Sequence, residues 1–212
     1  TLYDFVTMDE IQTITFSDSA EIQAALKSYL EFGNTTVANV KLVSQAGLII
    51  MGNISLTKDK KPIRLKYFSE LPETFKESAL LDRFHGFIEG WKLPRISEDL
   101  KINGWTLNVE YFSEIMHELR GKPIYSAIVN DLLEVPAKAD TRDTTAVKRI
   151  ATAYLKLLFP NVNDTSEIDK EEFNDYCLKP ALEKRQIIRS QIHLLDEEFS
   201  DEMPDIKIEM IV

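Results

Sequence analysis

The chain has 212 residues, 44% of them apolar and 28% charged, and carries a formal net charge of −10. That length allows one large domain or two small ones around a substantial core, and the composition is that of an ordinary globular protein. The negative balance excludes a protein that coats nucleic acid with its whole surface, the single Cys177 excludes an internal disulfide and favours a reducing, cytoplasmic setting, and no apolar run reaches the length of a membrane helix.

The chain opens on Thr1, directly at a strand, as expected of a fragment whose upstream part is missing. Tyr3, Phe5, Val6 and Met8 form an apolar, β-prone run from Leu2 to Met8, which predicts a short, largely buried strand. It ends on Asp9-Glu10, so two carboxylates stand at the carboxyl edge of a sheet, where open α/β sheets bind ligands. A carboxylate pair there suits a Mg²⁺ ion that keeps its waters and bridges phosphate oxygens, and an exposed acidic turn is the structural alternative. Ser17-Asp18-Ser19 with Glu21 starts a helix carrying Ile22, Ala25, Leu26, Tyr29 and Leu30, and Gly33 stops it. Thr35 to Val43 reads as a strand or hairpin arm, Gln45-Ala46-Gly47 as a turn, and Leu48 to Met51 as a second buried strand ending at Gly52-Asn53. Asn53 either caps the next turn or faces a ligand crevice.

Lys58, Lys60, Lys61, Arg64 and Lys66 surround Pro62 in a loop or edge hairpin whose charges maintain solubility or contact nucleic acid. Pro72-Glu73 opens a short helix through Leu80-Leu81, which ends at Asp82-Arg83-Phe84-His85-Gly86, and Phe87-Ile88 reads as a third brief strand. Thereafter the pattern is helical. Thr106 is expected to cap one helix, Ile124 to Val135 forms a second, Thr144 or Thr145 starts a third that Pro160 ends, and Ile168 to Phe199 forms a long charged helix bent near Pro180. Ile206, Ile208, Met210 and Val212 alternate in a terminal strand, expected to begin a further domain. Strands alternating with helices imply a parallel sheet, and the helical second half a separate layer.

Taken together these pieces resemble the latter half of an AAA+ ATPase module. The strand ending in Asp9-Glu10 looks like Walker B, Asn53 stands where that family places its sensor-1 residue, Leu80 to Phe84 resembles the arginine-finger segment, and Val147-Lys148-Arg149 falls on the lid helix of sensor 2. Tyr29-Leu30-Glu31-Phe32-Gly33, Met51-Gly52-Asn53-Ile54, Leu81 to Gly86, Gly90 to Pro94, Ala146 to Arg149 and Leu155 to Pro160 are similar to the Lon-related proteins of the BREX phage-defence system, the BrxL type. The resemblance implies a partial P-loop NTPase core with a parallel sheet at 1–95, a helical AAA+ lid at 96–200, and a tail or further domain at 201–212.

By that resemblance ATP and Mg²⁺ are the cofactors of the intact protein. Asp9 holds the hydrated metal, Glu10 is the base or positions the lytic water, Asn53 orients it, and Arg83 reaches into a neighbouring subunit's site. Lys148 and then Arg149 are the sensor-2 candidates. Self-association into a hexameric ring and work on DNA follow from the family, with Lys41 in the hairpin and Lys58 to Lys66 as nucleic-acid contacts and no membrane partner. Each role has a plain alternative: an acidic strand end, a turn-capping Asn, an Arg paired with Asp82, solvent-facing charges on a helix. No Gly-x-x-x-x-Gly-Lys-Ser/Thr and no Ser-Lys protease dyad in a recognisable setting occurs in these 212 residues, so the chain by itself is expected to be inactive. A non-hydrolysing interaction module and the motor of a Lon-type protease are the rival readings. Trp91 and Trp105 are expected to pack at the junction between the two halves, and Cys177 to be a small packing residue.

Overall fold

A computed structural model describes residues 3–37 and 40–209. The chain forms two compact units, one of Thr1–Phe87 with Gln186–Met203 and one of Ile88–Arg185 with Pro204–Val212. No helix among the described residues is long and apolar enough to cross a membrane.

The first unit is α/β. Strand β1 (Phe5–Met8) lies parallel to β4 (Gly47–Ile50), with Phe5 opposite Gly47 and Met8 opposite Ile50. Between them in sequence runs α1 (Ser19–Phe32), whose N-cap Asp18 accepts a bond from the Glu21 amide. Gly33 closes it at φ 67°, with its N–H on the Tyr29 carbonyl. A Cβ there would also stand 3.2 Å from the Ser44 carbonyl oxygen, so glycine answers both demands. The hairpin follows as β2 (Asn34–Val37) and β3 (Val40–Val43), antiparallel, and its connecting residues lie outside the described ones.

The parallel pairing agrees with the sequence, but the expected burial of β1 does not. Phe5 and Val6 are 59% and 47% exposed, because among the described residues β1 pairs with β4 alone and nothing covers these side chains. Met8 and Ile50 reach the core, where they pack with Phe16, Leu26, Leu30 and Phe84 around the buried Ile11, Phe75 and Leu80. Leu2 lies outside the described residues. The helix expected from Pro72 is broken into a 3₁₀ turn (Glu73–Phe75) and the single turn α2 (Ser78–Leu81). Phe87-Ile88 is not a strand. Phe87 instead packs its ring on Tyr67 and Phe68, at centroid distances of 5.5 and 5.2 Å.

The second unit is helical: α3 (Val109–Arg120), α4 (Ile124–Leu132), α5 (Thr141–Leu158) and the one-turn α6 (Lys170–Phe173). A π turn over Asn174–Leu178 leads into α7 (Lys179–Leu195), whose C-terminal part belongs to the first unit. Pro180 explains the π turn. It has no N–H to donate, and its ring would collide with the Tyr176 carbonyl of a regular α turn. Caps differ from expectation, with Asn108 in place of Thr106 at α3 and Asp140 in place of Thr144 at α5. Asp140 accepts from both the Arg142 and Asp143 amides, which a Thr hydroxyl does less well, and so the helix starts three residues early. After α4, β5 (Leu133–Glu134) pairs antiparallel with β6 (Lys207–Ile208), so the tail returns to this unit; Met210 and Val212 lie outside the described residues. Trp105 does not pack, being fully exposed in the irregular stretch 101–108.

Candidate functional site

The ladder between β1 and β4 continues past both strands. The Met51 N–H donates to the Met8 carbonyl at 2.8 Å and the Ile11 N–H to the Met51 carbonyl at 3.0 Å. Asp9-Glu10 is therefore carried alongside Met51-Gly52-Asn53 at the carboxyl edge of the parallel pair. Ile11, 1% exposed, anchors the turn from below. The Asn53 N–H donates to Gln12 Oε1 at 3.3 Å, tying the two strand ends together once more. The approach is close enough to require glycine, since a Cβ on Gly52 would fall 2.9 Å from both Gln12 Oε1 and Ile11 Cγ2. The sequence reading missed Gln12, and it expected Leu48 to Met51 to be buried, whereas Ile49 and Met51 are each 44% exposed; a glycine directly after an apolar strand was the signal for the close approach.

Glu10 adopts left-handed backbone, φ 47° and ψ 45°, before a 3₁₀ turn over Ile11–Thr13. Its carbonyl accepts from the Thr13 N–H at 2.8 Å and the Thr13 hydroxyl at 2.9 Å, which fix the turn. Asp9 Oδ1 accepts the Glu10 N–H at 2.8 Å, leaving the other carboxylate oxygen to point elsewhere. Asp9, Glu10 and Asn53 are all exposed. Their donors are hard oxygens, two carboxylates and an amide carbonyl. No group of three or more His, Cys, Asp or Glu able to hold a metal occurs among the described residues. This set fits Mg²⁺ that arrives with a phosphate and keeps several waters, and it does not fit an ion caged by protein alone.

Arg83 has its partners elsewhere in the same unit. Its Nε lies 2.7 Å from Glu31 Oε2 at the end of α1, and one Nη1 hydrogen goes to the Ala79 carbonyl of α2. Asp82, the alternative partner, is buried beside it at 3% exposure. Lys148 and Arg149 lie on α5 in the helical unit, where Lys148 donates to Asn130 Oδ1 at 2.7 Å and Arg149 is exposed.

The basic stretch forms a small hairpin closed by a bridge between Leu56 and Pro62 and by the Ile63 N–H on the Ser55 carbonyl. Lys60 turns it at φ 57°. Among the described residues, Lys58, Lys60, Lys61, Arg64 and Lys66 have no ion-pair partner, whereas Lys27, Lys76 and Lys101 do. The hairpin's base is pinned by Gln191 of α7, which is buried. It accepts from the Phe68 N–H at 3.1 Å and donates to the Leu65 carbonyl at 2.8 Å. Lys41 is exposed on β3.

A protein family described as "Lon-like protease BrxL-like, ATPase domain" matches residues 1–205. The chain is 27% identical over 194 residues to the Lon-like protease BrxL of Escherichia coli O9:H4 (strain HS), and 28% identical over 192 residues to the Lon-like protease BrxL of Bacillus cereus (strain H3081.97). The alignments cover 92% and 90% of this chain but 27% of either relative, so the chain spans about a quarter of their length.

Proposed function

Because the chain belongs to the BrxL-like family of Lon-like proteases, matching its ATPase domain, we propose that it is the Walker B-to-lid portion of an AAA+ motor that hydrolyses ATP at subunit interfaces. The observation that carries this reading is the register of β1 and β4, which sets Asp9-Glu10 beside Asn53 at one sheet edge. Ligands bind at that edge in parallel α/β sheets.

In this reading Asp9 holds the hydrated Mg²⁺, which neutralises charge on the phosphate oxygens when bound. Glu10 orients the lytic water and accepts its proton, and the Asn53 amide holds the same water from the neighbouring strand. The braced turn at Glu10 supports that task, since a base must be held within hydrogen-bond reach of the proton it takes. Arg83 stabilises the charge that develops on the phosphoryl group of a neighbouring subunit, a contribution worth on the order of 10³–10⁵ in rate where such fingers operate. Lys148, or Arg149 beside it, reports the nucleotide to the helical lid. Assembly is a ring. The cations of the 55–63 hairpin, with Arg64 and Lys66 that follow it, contact the DNA on which the motor works.

The test is steady-state ATP hydrolysis by the full-length protein, wild type beside Glu10→Gln and Arg83→Ala, with nucleotide binding measured separately. The expected result is loss of turnover in both variants, with Glu10→Gln still binding ATP. A wild type that neither binds nor hydrolyses ATP replaces the motor with an interaction module.

A further inference from the structure

Arg83 is held in an unusual way for a residue that must reach another subunit. Its side chain is only 18% exposed, and two of its three nitrogens are engaged: Nε lies against Glu31 Oε2 and Nη1 donates to the Ala79 carbonyl. Among the described residues Nη2 has no partner. The Nε hydrogen is not aimed along the line to Glu31, so this contact is chiefly Coulombic. A guanidinium is a rigid plane with five donors in a fixed fork. Two contacts suffice to fix the orientation of that plane, and they leave the Nη2 hydrogens uncommitted.

Glu31 itself is well placed to be rigid. It sits in the last turn of α1, one residue before Phe32 and two before the Gly33 cap, which the Tyr29 carbonyl and the Ser44 carbonyl confine. Leu30, beside it, packs into the core with Phe84, which follows Arg83. Glu31 and Arg83 are therefore joined twice, through their charges and through the adjacent apolar side chains.

We propose that Glu31 is the positioning residue for Arg83, holding its guanidinium in a fixed plane so that the uncommitted Nη2 is presented to a phosphate of the neighbouring subunit. The proposal rests on the reading of Arg83 as a finger acting in trans. Its chemical logic is that of a preorganised charge, oriented before the reaction so that no reorganisation is needed when charge develops. Glu31 touches no substrate and acts only through Arg83.

The experiment uses the full-length protein with Glu31→Gln, Arg83→Ala and the double variant, reading kcat and KM for ATP. Glu31→Gln is expected to lower kcat roughly ten- to a hundredfold, the size of effect a displaced catalytic group produces, with KM nearly unchanged. In the Arg83→Ala background it is expected to add nothing. Subunit mixing supplies the second readout. Arg83→Ala subunits, which keep their own site, are mixed with Glu10→Gln subunits, which keep their finger, so that activity returns at the mixed interfaces. Glu31→Gln placed in the finger-donating subunit abolishes the return, and placed in the site-donating subunit it does not. Equal loss in either subunit, a fully active Glu31→Gln, or an undiminished penalty in the Arg83→Ala background each overturns the proposal. If Arg83→Ala alone retains full turnover, the finger reading has failed instead, and that result is distinct from the others. Thermal midpoints of the single variants guard against loss of fold: a merely structural Glu31 lowers the midpoint and shows no dependence on which subunit carries the change.

Discussion

Glu10 combines two demands that pull apart, since its carboxylate stands at the proposed site while its backbone lies in left-handed space that costs a non-glycine residue on the order of 1 kcal/mol. Glu10→Gly is therefore expected to be about 1 kcal/mol more stable than Glu10→Ala in urea unfolding, although both lose the carboxylate. Equal unfolding midpoints for the two would mean that the turn carries no strain. Cys177 makes a second prediction at this scale. Burial pushes its thiol from the ordinary 9.0 up to about 12, so the folded chain keeps the proton while the unfolded chain releases it. Stability from this group is thus complete below pH 9 and is lost progressively as the pH rises from there toward 12. The urea midpoint of the wild type should fall more steeply from about pH 9 to about 10.5 than that of Cys177→Ala, and parallel curves would contradict it. The same burial keeps the thiol unreactive, in line with its reading as a packing residue.

Among the helices, the junction of α5 and α7 is fixed by charge as well as by packing. Arg185 Nε donates to Asp143 Oδ1 at 2.7 Å, and both side chains are fully buried. A lone buried charge is costly, so Arg185→Met should destabilise the chain by about 3–5 kcal/mol, whereas Arg185→Met with Asp143→Leu should lose much less. Denaturant unfolding of the single and double variants decides this, and an equally unstable double variant would show that the pair contributes more than it costs. That pair was invisible in the sequence, where Asp143 falls just before the expected start of the third helix at Thr144 or Thr145. Local capping rules locate a helix start to within a turn, but which of Asp140, Thr144 and Thr145 wins depends on where Asp143 finds its tertiary partner. What local chemistry decides was legible: α1 between Asp18 and Gly33, and the β2–β3 hairpin. The alternation of strands and helices announced a parallel sheet, but the pairing of β1 with β4, and the adjacency of Asp9-Glu10 to Asn53 that follows from it, came from the structure. Phe87-Ile88 failed as a strand because β-propensity needs a neighbour to pair with, and an aromatic cluster offered Phe87 a better use. Glu31 entered the sequence reading only within the Tyr29-to-Gly33 stretch that carries the family resemblance, with no role of its own, since an ion pair with Arg83, far along the chain, leaves no periodic trace.

At the scale of the molecule, charge is unevenly distributed. A chain of net charge −10 carries Lys58, Lys60, Lys61, Arg64 and Lys66 in one short stretch around a hairpin, without ion-pair partners among the described residues. If this hairpin is the DNA contact, replacing Lys58, Lys60 and Lys61 by Glu in the full-length protein weakens duplex binding and flattens its salt dependence. Every phosphate no longer neutralised lowers the slope of log K against log salt by about 0.9. An unchanged slope moves the DNA surface elsewhere. Because the hairpin's base is held by Gln191, the substitutions leave the fold intact and circular dichroism should not change.

The parallel pairing of β1 with β4 also has a kinetic side. Its partners stand far apart in sequence, Phe5 with Gly47 and Met8 with Ile50, whereas α1 and the β2–β3 hairpin close over short loops. Local elements form in microseconds, and the non-local pairing must wait until the intervening chain has been ordered. Asp9-Glu10 and Asn53 therefore meet only in that late step. In refolding, formation of the edge that joins Asp9-Glu10 to Asn53 should lag behind the recovery of helical signal, and a partly folded chain with native helix content would still lack the proposed site.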